Sequence, residues 1–339
     1  MTKLIIANRK RDLLCLAICC FLALATAFFL VPHNAYAEPN EAAELSVDPV
    51  VHSENTTAVI YNNMNGLPTS EANAIAETSE GFIWIGSYGG LVRYDGNTFH
   101  RMDSTKGIGS VVSLFVDSRD RLWIGTNESG LALLQEDTYR FWGIDDGFAG
   151  AKVTSITEND EGIIYAGTNS GISMIDTDFI VSSIDDPRVA GNYIEHVYSG
   201  KDGLIYATTS EDDFFTIDDG KVVDYISRKD TKIREVTTVL PDPNEPGKLY
   251  VGGVESTIYH TDISLDPQKG ETVDISPLSS VINIEMIDGR LWICARNGIG
   301  VIDDNGFHYL KLLPMNNSVT DVMADYEGNL WFASTRQGP

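Results

Sequence analysis

From residue 57 onward, apolar and polar positions alternate in short runs, and the runs recur as a set. One set reads Gly81-Phe82-Ile83-Trp84-Ile85-Gly86-Ser87, then Gly90-Leu91-Val92-Arg93-Tyr94-Asp95-Gly96. The next has Arg121-Leu122-Trp123-Ile124-Gly125-Thr126, then Gly130-Leu131-Ala132-Leu133-Leu134. Later copies centre on Tyr165, Tyr206, Tyr250, Trp292 and Trp331, and the anchors are spaced by 39, 42, 41, 44, 42 and 39 residues. A further apolar strand precedes each anchor. The run from Val111 to Val116 is apolar on both faces, which suits a strand buried between neighbouring sheets. No helix-period segment of useful length follows residue 40.

Four short strands about every 40 residues, with one aromatic signature per unit, predict an all-β fold, a seven-bladed β-propeller. A blade cannot bury both faces alone. The anchors Trp84, Trp123, Tyr165, Tyr206, Tyr250, Trp292 and Trp331 are therefore read as packing groups, each ring taking ~150–250 Å² out of water. A β-helix would have shorter repeats, and a sandwich would not repeat its Trp-Ile-Gly strand at a fixed period.

Residues 1–37 read as a leader rather than as part of the fold. Lys3, Arg9, Lys10 and Arg11 form a positive start, Leu13 to Val31 is nearly pure apolar, and Ala35-Tyr36-Ala37 has the small-x-small pattern of a cleavage site. The apolar run is also long enough for an uncleaved signal anchor. Either reading puts the remainder outside the cytoplasm, with 38–56 a flexible linker and 57–339 the propeller. Cys15, Cys19 and Cys20 lie in the leader, so Cys294 alone remains and no disulfide is available within the exported part.

The chain has 24 basic and 49 acidic side chains; removing the leader takes away four bases and one acid, leaving 20 against 48. Such acidity argues against nucleic acid and anionic membrane surfaces as partners.

Gly66-Leu67-Pro68-Thr69-Ser70 precedes the first inner strand, followed by Gly-x-x-Trp-Ile-Gly-[Ser/Thr] and Gly-Leu-x-Arg-Tyr-Asp-Gly. These strings resemble the two-component regulator propeller repeat over residues 57–338. The pattern is weakest around Tyr206 and Tyr250, where Ile-Gly-Thr becomes Ala207-Thr208-Thr209 and Val251-Gly252-Gly253. The resemblance implies the extracytoplasmic sensor half of a membrane signalling protein. It further implies downstream signalling domains in cis, either a diguanylate cyclase or a histidine kinase, and signalling as a homodimer.

The seventh unit stops at Gly338-Pro339, soon after its aromatic strand. Thr57 to Tyr61 are expected to close the ring as its outer strand, with a third strand missing, its neighbours' edges unpaired and the last blade incomplete. The chain thus reads as the N-terminal piece of a longer sensor.

Two faces differ in chemistry. One collects Asp-Gly and Glu-Gly turns, which supply hairpin geometry. None has the spacing of a calcium loop, and no metal or other cofactor is expected. The other carries the blade-to-blade connections with Arg101, Lys106, Lys152, Arg188, Arg228, Lys229, Lys232, Arg234 and Lys269. It also carries the turn residues Tyr88, Asn127, Asn169, Arg296 and Arg336. Tyr88, Asn127, Lys152, Asn169, Arg296 and Arg336 are the candidate ligand-binding set, suited to a polar or anionic small molecule or glycan. A docking face for a second propeller and an ordinary solvated surface are the alternatives. His52, His100, His196, His260 and His308 are scattered, and no nucleophile elbow, phosphate loop or metal-ligand motif is present. No catalytic residue is expected; the competing readings are a secreted binding propeller and a polysaccharide or cyclic-peptide lyase.

Overall fold

The computed structural model describes residues 3–8, 56–63, 66–69, 71–136, 138–310 and 318–335. Six sheets are each built from four consecutive antiparallel strands. Their inner strands are Ala74–Glu77, Val111–Val116, Val153–Glu158, Ile194–Ser199, Val236–Pro241 and Val281–Ile287. A further sheet joins both ends of the chain: Val319–Ala324, Leu330–Ser334, Lys3–Asn8 and Thr56–Tyr61, in that order from inside to outside. Outside the strands the described elements are short 3-10 turns, and among the described residues no helix is long and apolar enough to cross a membrane. The fold is an all-β propeller.

Thr56–Tyr61 is the outer strand of the closing sheet, where the sequence places it. The expectation of unpaired neighbours does not hold. Residues 3–8, read above as the start of a leader, pair with Leu330–Phe332 on one side and with 56–61 on the other. The apolar run 13–31, the Ala35–Ala37 site and most of the 38–56 linker lie outside the described residues.

Each residue of the repeated signature has a physical task. The aromatic anchor is tied to the turn before it. Asp117 Oδ1 accepts from the Arg119 and Arg121 N–H groups at 3.0 and 2.9 Å, while Oδ2 accepts from Trp123 Nε1 at 2.7 Å. Asp325 does the same for Glu327, Asn329 and Trp331. In between, the chain turns through the left-handed region, with Gly81, Gly162, Gly203 and Gly328 at φ 80–82° and Asp120 at 59°.

The glycine after the anchor serves a different end. A Cβ at Gly86 would meet Val111 at 2.5 Å, one at Gly125 would meet Val153 at 2.9 Å, and one at Gly167 would meet Ile194 at 2.9 Å. In each case the neighbour is the first residue of the next blade's inner strand. The motif's Ser or Thr then closes the following hairpin. Ser87, Thr126 and Thr168 hydroxyls donate to the carbonyls of Gly90, Gly130 and Gly171 at 2.8–3.0 Å.

Apolar clusters accordingly sit between blades rather than within them. Trp123 packs with Val153, Ile156 and Ile164 of the next sheet, and Tyr165 with Ile194 and Val197 of the one after. All the anchors are buried except Tyr250, which is half-buried.

Two outcomes follow. Gly125→Ala should lower stability by about 1–3 kcal/mol, because the backbone oxygen of Val153 also lies 2.9 Å from the new Cβ. Gly109→Ala, which meets nothing within 4 Å, should be near neutral; equal denaturation midpoints for the two variants would refute the packing account. Asp117→Ala should cost about 2–4 kcal/mol, since it strips partners from a buried indole N–H and from the Arg121 guanidinium 2.6 Å away. A loss under about 0.5 kcal/mol in urea unfolding would count against that role.

Candidate functional site

The inner strands surround a central channel, and a one-residue irregularity in most of them decides what faces it. Register shifts fall at Val111/Ser113, Val153/Ser155, Ile194/His196, Val236/Thr238, Val281/Asn283 and Val319/Asp321. The skipped residues are Val112, Thr154, Glu195, Thr237, Ile282 and Thr320. A bulge turns such a residue away from the ladder, and all six line the channel.

At one mouth is a cavity of about 480 Å³ whose wall includes Thr154, Tyr193, Glu195, His196, Glu235, Thr237, Ser280 and Arg296. A second space of about 340 Å³ shares Val112, Thr154 and His196 with it and continues along the channel past Tyr198, Asn283, Glu285 and Asp321.

Side chains around the channel also bind blade to blade. Asn73 Nδ2 donates to Val111 O at 2.7 Å, Ser113 Oγ to Val153 O at 3.2 Å and Thr154 Oγ1 to Ile194 O at 2.7 Å. Tyr198 and Thr238 share a hydroxyl contact of 2.7 Å, and Thr237 Oγ1 donates to Val281 O at 2.7 Å. Asp321 accepts from Asn283 Nδ2 at 3.2 Å and from the Ile75 N–H at 3.0 Å, reaching across the junction between the closing sheet and the first blade. Glu195 and His196 stand out in this ring. They occupy the equivalent positions in their blade with no such bond to their neighbour.

Burial sets the charge of these groups. It lowers His196 to about 4, so the imidazole is neutral at physiological pH, and the ring stacks on Tyr198 at 5.6 Å. Burial also raises Glu195, with Asp212 acting in the same direction and Arg296 opposing. Glu285 is pushed up to about 8, first by burial and then by the nearby Asp321 carboxylate. Asp321 is raised to about 7 by burial, against the backbone N–H groups of Ile75 and Val322 and the Asn283 amide.

The predicted ligand set is only partly assembled here. Arg296 lines the mouth cavity. Lys152 adjoins it, with Nζ 5.2 Å from the centre of the Tyr193 ring. Asn169 spends its carbonyl on the Lys152 N–H at 3.1 Å. Tyr88 is exposed and, like Asn127, lines neither space. Arg336 lies outside the described residues.

Several cations of the connection face have acidic partners. Arg188 pairs with Asp186, Arg228 with Glu211, Lys232 with Asp266, Arg234 with Glu235 and Lys269 with Asp262. Arg101 donates to the Gly89 carbonyl. The partner acids come from connections and from the turns within blades, Glu211 from the turn between second and third strands, and Asp262 and Asp266 from the end of the third strand and the loop that follows it. The charged groups sequence reasoning missed are Glu195, Glu235, Glu285 and Asp321. A usable signal existed: ionisable residues within the first strand of a unit, which is the strand that walls the channel.

Glu285 and Asp321, raised to about 8 and 7, generate a pH dependence near neutrality. A carboxyl whose folded pKa exceeds its ordinary value near 4.5 holds its proton more tightly in the folded chain, so stability falls as pH rises toward the folded pKa. His196 acts oppositely, but only between about 4 and 6.5. The melting temperature should therefore decline from pH 6.5 to 8.5, and more shallowly in Glu285→Gln. Parallel profiles for the two proteins would show that Glu285 does not titrate there.

Three segments, 66–89, 107–128 and 314–336, match the family model of the two-component regulator propeller. No curated protein matches the chain by sequence. Among solved structures, the chain is similar to the extracellular domain of the hybrid two-component system BT3049 of B. thetaiotaomicron, at 18% identity and TM-score 0.68 over 82% of this chain and 40% of that one. It is similar to the extracellular domain of the one-component system BT4673 of B. thetaiotaomicron at 15% identity and TM-score 0.64, over 84% and 44%. A streptogramin B lyase structure aligns at 17% identity and TM-score 0.63, over 79% and 92%. The chain spans less than half the length of these two extracellular domains, and at these identities the likeness is one of fold. Three segments of the chain thus match the two-component regulator propeller repeat, and the chain folds as an all-β propeller.

Proposed function

We propose that this chain is an extracytoplasmic ligand-sensing propeller, the sensor portion of a membrane signalling protein whose output is a diguanylate cyclase or a histidine kinase in cis. Its ring is seven-bladed, and the full protein is exported and signals as a dimer. The observation that carries this reading is the mouth cavity, walled by bulge residues and holding Glu195, Arg296 and the neutral His196 within about 480 Å³. That size suits a small molecule or the end of a glycan. The resemblance of the repeat to that of extracellular sensor domains supports the signalling role. Support for the ligand role comes from geometry. Most polar groups round the channel are engaged in blade-to-blade bonds, whereas Glu195 and Arg296 face the open space from two different blades.

The cavity holds carboxylate and guanidinium groups together, which favours a ligand bearing hydroxyls or both charges over a simple anion. A lyase reading is favoured by one observation. The neutral imidazole of His196, in a channel with several carboxyls, is in the right state to accept a proton.

Thermal-shift screening of the purified chain against neutral and charged oligosaccharides and amino acids tests the sensor reading. A ligand that binds only the folded state raises the melting temperature in proportion to RT ln(1 + [L]/Kd). The shift should vanish in Arg296→Ala and Glu195→Gln while the unliganded melting temperatures stay close to that of the parent. A shift retained in both variants would move the site elsewhere. Chemical conversion of the bound compound that is lost in His196→Ala would replace the sensor reading with the enzymatic one.

A further inference from the structure

The fifth blade departs from the others at the turn that holds its anchor. Asp242 plays the part of Asp117: its side chain is buried, and Oδ1 accepts from the Asn244 and Glu245 N–H groups at 2.7 and 3.2 Å. In the second blade the other carboxylate oxygen meets an indole and a guanidinium. Here Asp242 takes the hydroxyl of the anchor Tyr250 and also meets the imidazole of His260 on the third strand, with Nε2 to Oδ2 at 2.8 Å.

His260 stands directly opposite the anchor Tyr250 in the ladder. The corresponding partners of the other anchors in the complete blades are Arg93, Leu133, Met174, Thr216 and Val301, so this imidazole is peculiar to the fifth blade. The Tyr250 ring stacks on it at 4.4 Å and 14°, which fixes its plane.

That 2.8 Å contact is not a hydrogen bond. His260 Nε2 is buried and has no hydrogen-bonding partner, because Asp242 lies off its donor direction. In a tetrahedral shell at ~2.0–2.2 Å two ligand atoms stand about 3.3–3.6 Å apart without pointing at one another, so an ion would open this 2.8 Å contact by only about half an ångström or slightly more. The turn that fixes Asp242 also brings in the exposed carboxylate of Glu245, and the ligand atoms of all three residues lie within 4.8 Å of one another.

We propose that Asp242, Glu245 and His260 form a binding site for a divalent transition-metal ion, with zinc the best-suited probe. One imidazole with two carboxylates favours zinc or manganese over calcium and magnesium, which prefer all-oxygen shells. Three protein ligands leave a coordination position open to water or to a group from outside. The Asp242 carboxylate is already held by two backbone N–H groups and the imidazole by its stacked neighbour. Such supporting contacts orient ligands before the ion arrives. The site lies on the turn face of the propeller, remote in the fold from the mouth cavity, and is independent of the sensor reading.

Titration calorimetry of the purified chain with zinc chloride, paired with the visible absorption of the cobalt-loaded protein, tests it. The parent should bind one ion per chain, with a cobalt spectrum of mixed nitrogen and oxygen coordination, and a large excess of calcium should not displace the ion. His260→Gln should abolish the cobalt signal. Glu245→Gln should weaken zinc binding roughly tenfold or more. Because Glu245 is exposed, that variant tests the site even if His260→Gln folds poorly. Absence of saturable binding, binding unchanged in Glu245→Gln, or ready displacement by calcium would each overturn the assignment.

Discussion

The whole ring depends on one close approach: the inner strand of each blade sits against the second strand of the blade before it. At Gly86, Gly125, Gly167 and Gly252 the space for a side chain is already filled by Val111, Val153, Ile194 and Val281 of the following blade. Interiors pack at crystal-like density, so a single added methyl is felt there. This contact sets the angle between sheets and lets each anchor ring bury its faces against a neighbour. A blade is stable because the next one covers it, which is why the clusters of apolar side chains cross blade boundaries. Three units meet the constraint differently. Thr208, Cys294 and Ala333 stand where glycine stands elsewhere, and all three are buried.

The same geometry produces the channel and its polar lining. A strand that bulges at its first turn directs one residue inward, and Thr154 and Thr237 satisfy themselves on carbonyls of the next blade. Polar groups that bridge blades stiffen the ring. Polar groups at the same level that do not bridge are free to meet a ligand, and Glu195 is the charged one among them. Structure and recognition thus use the same ring of positions, with the identity of the side chain deciding between them. Deeper in the channel the balance changes again. Glu285 and Asp321 face a narrow, poorly solvated space and are held toward their protonated forms.

Acidity is distributed by role rather than spread as a uniform field. On the turn face, Asp120 accepts from the Ser79 N–H and hydroxyl, Glu158 from those of Ser118, and Glu77 from the Tyr326 N–H. These carboxylates clamp one blade's turn to the next. They give three of the chain's acids a structural role without invoking an ion. In the fifth blade the carboxylate that ties down the anchor's turn, Asp242, has a histidine neighbour, whereas the Asp–His pairs of the first and sixth blades, Asp95–His100 and Asp303–His308, sit at the turn between third and fourth strands.

Repeat period, strand number per unit, the anchor aromatics and the Asp-Gly turns were legible along the chain because each is fixed by local chemistry or by a contact that recurs at constant spacing. Thr56–Tyr61 as an outer closing strand was legible for the same reason, since the last unit needed one. The channel residues were not. Which side of a strand faces the axis depends on a bulge, and a one-residue shift reverses every side chain after it. That loop cations such as Arg188 and Lys232 have acidic partners, Asp186 and Asp266, was not legible either. Asp242, Glu245 and His260 come from one turn and the strand beyond it, so no spacing in the sequence announced them. Periodicity by itself determined the propeller; only the closed ring decided which polar groups would be spent on neighbours and which would face open space, because that depends on distances between blades rather than along the chain.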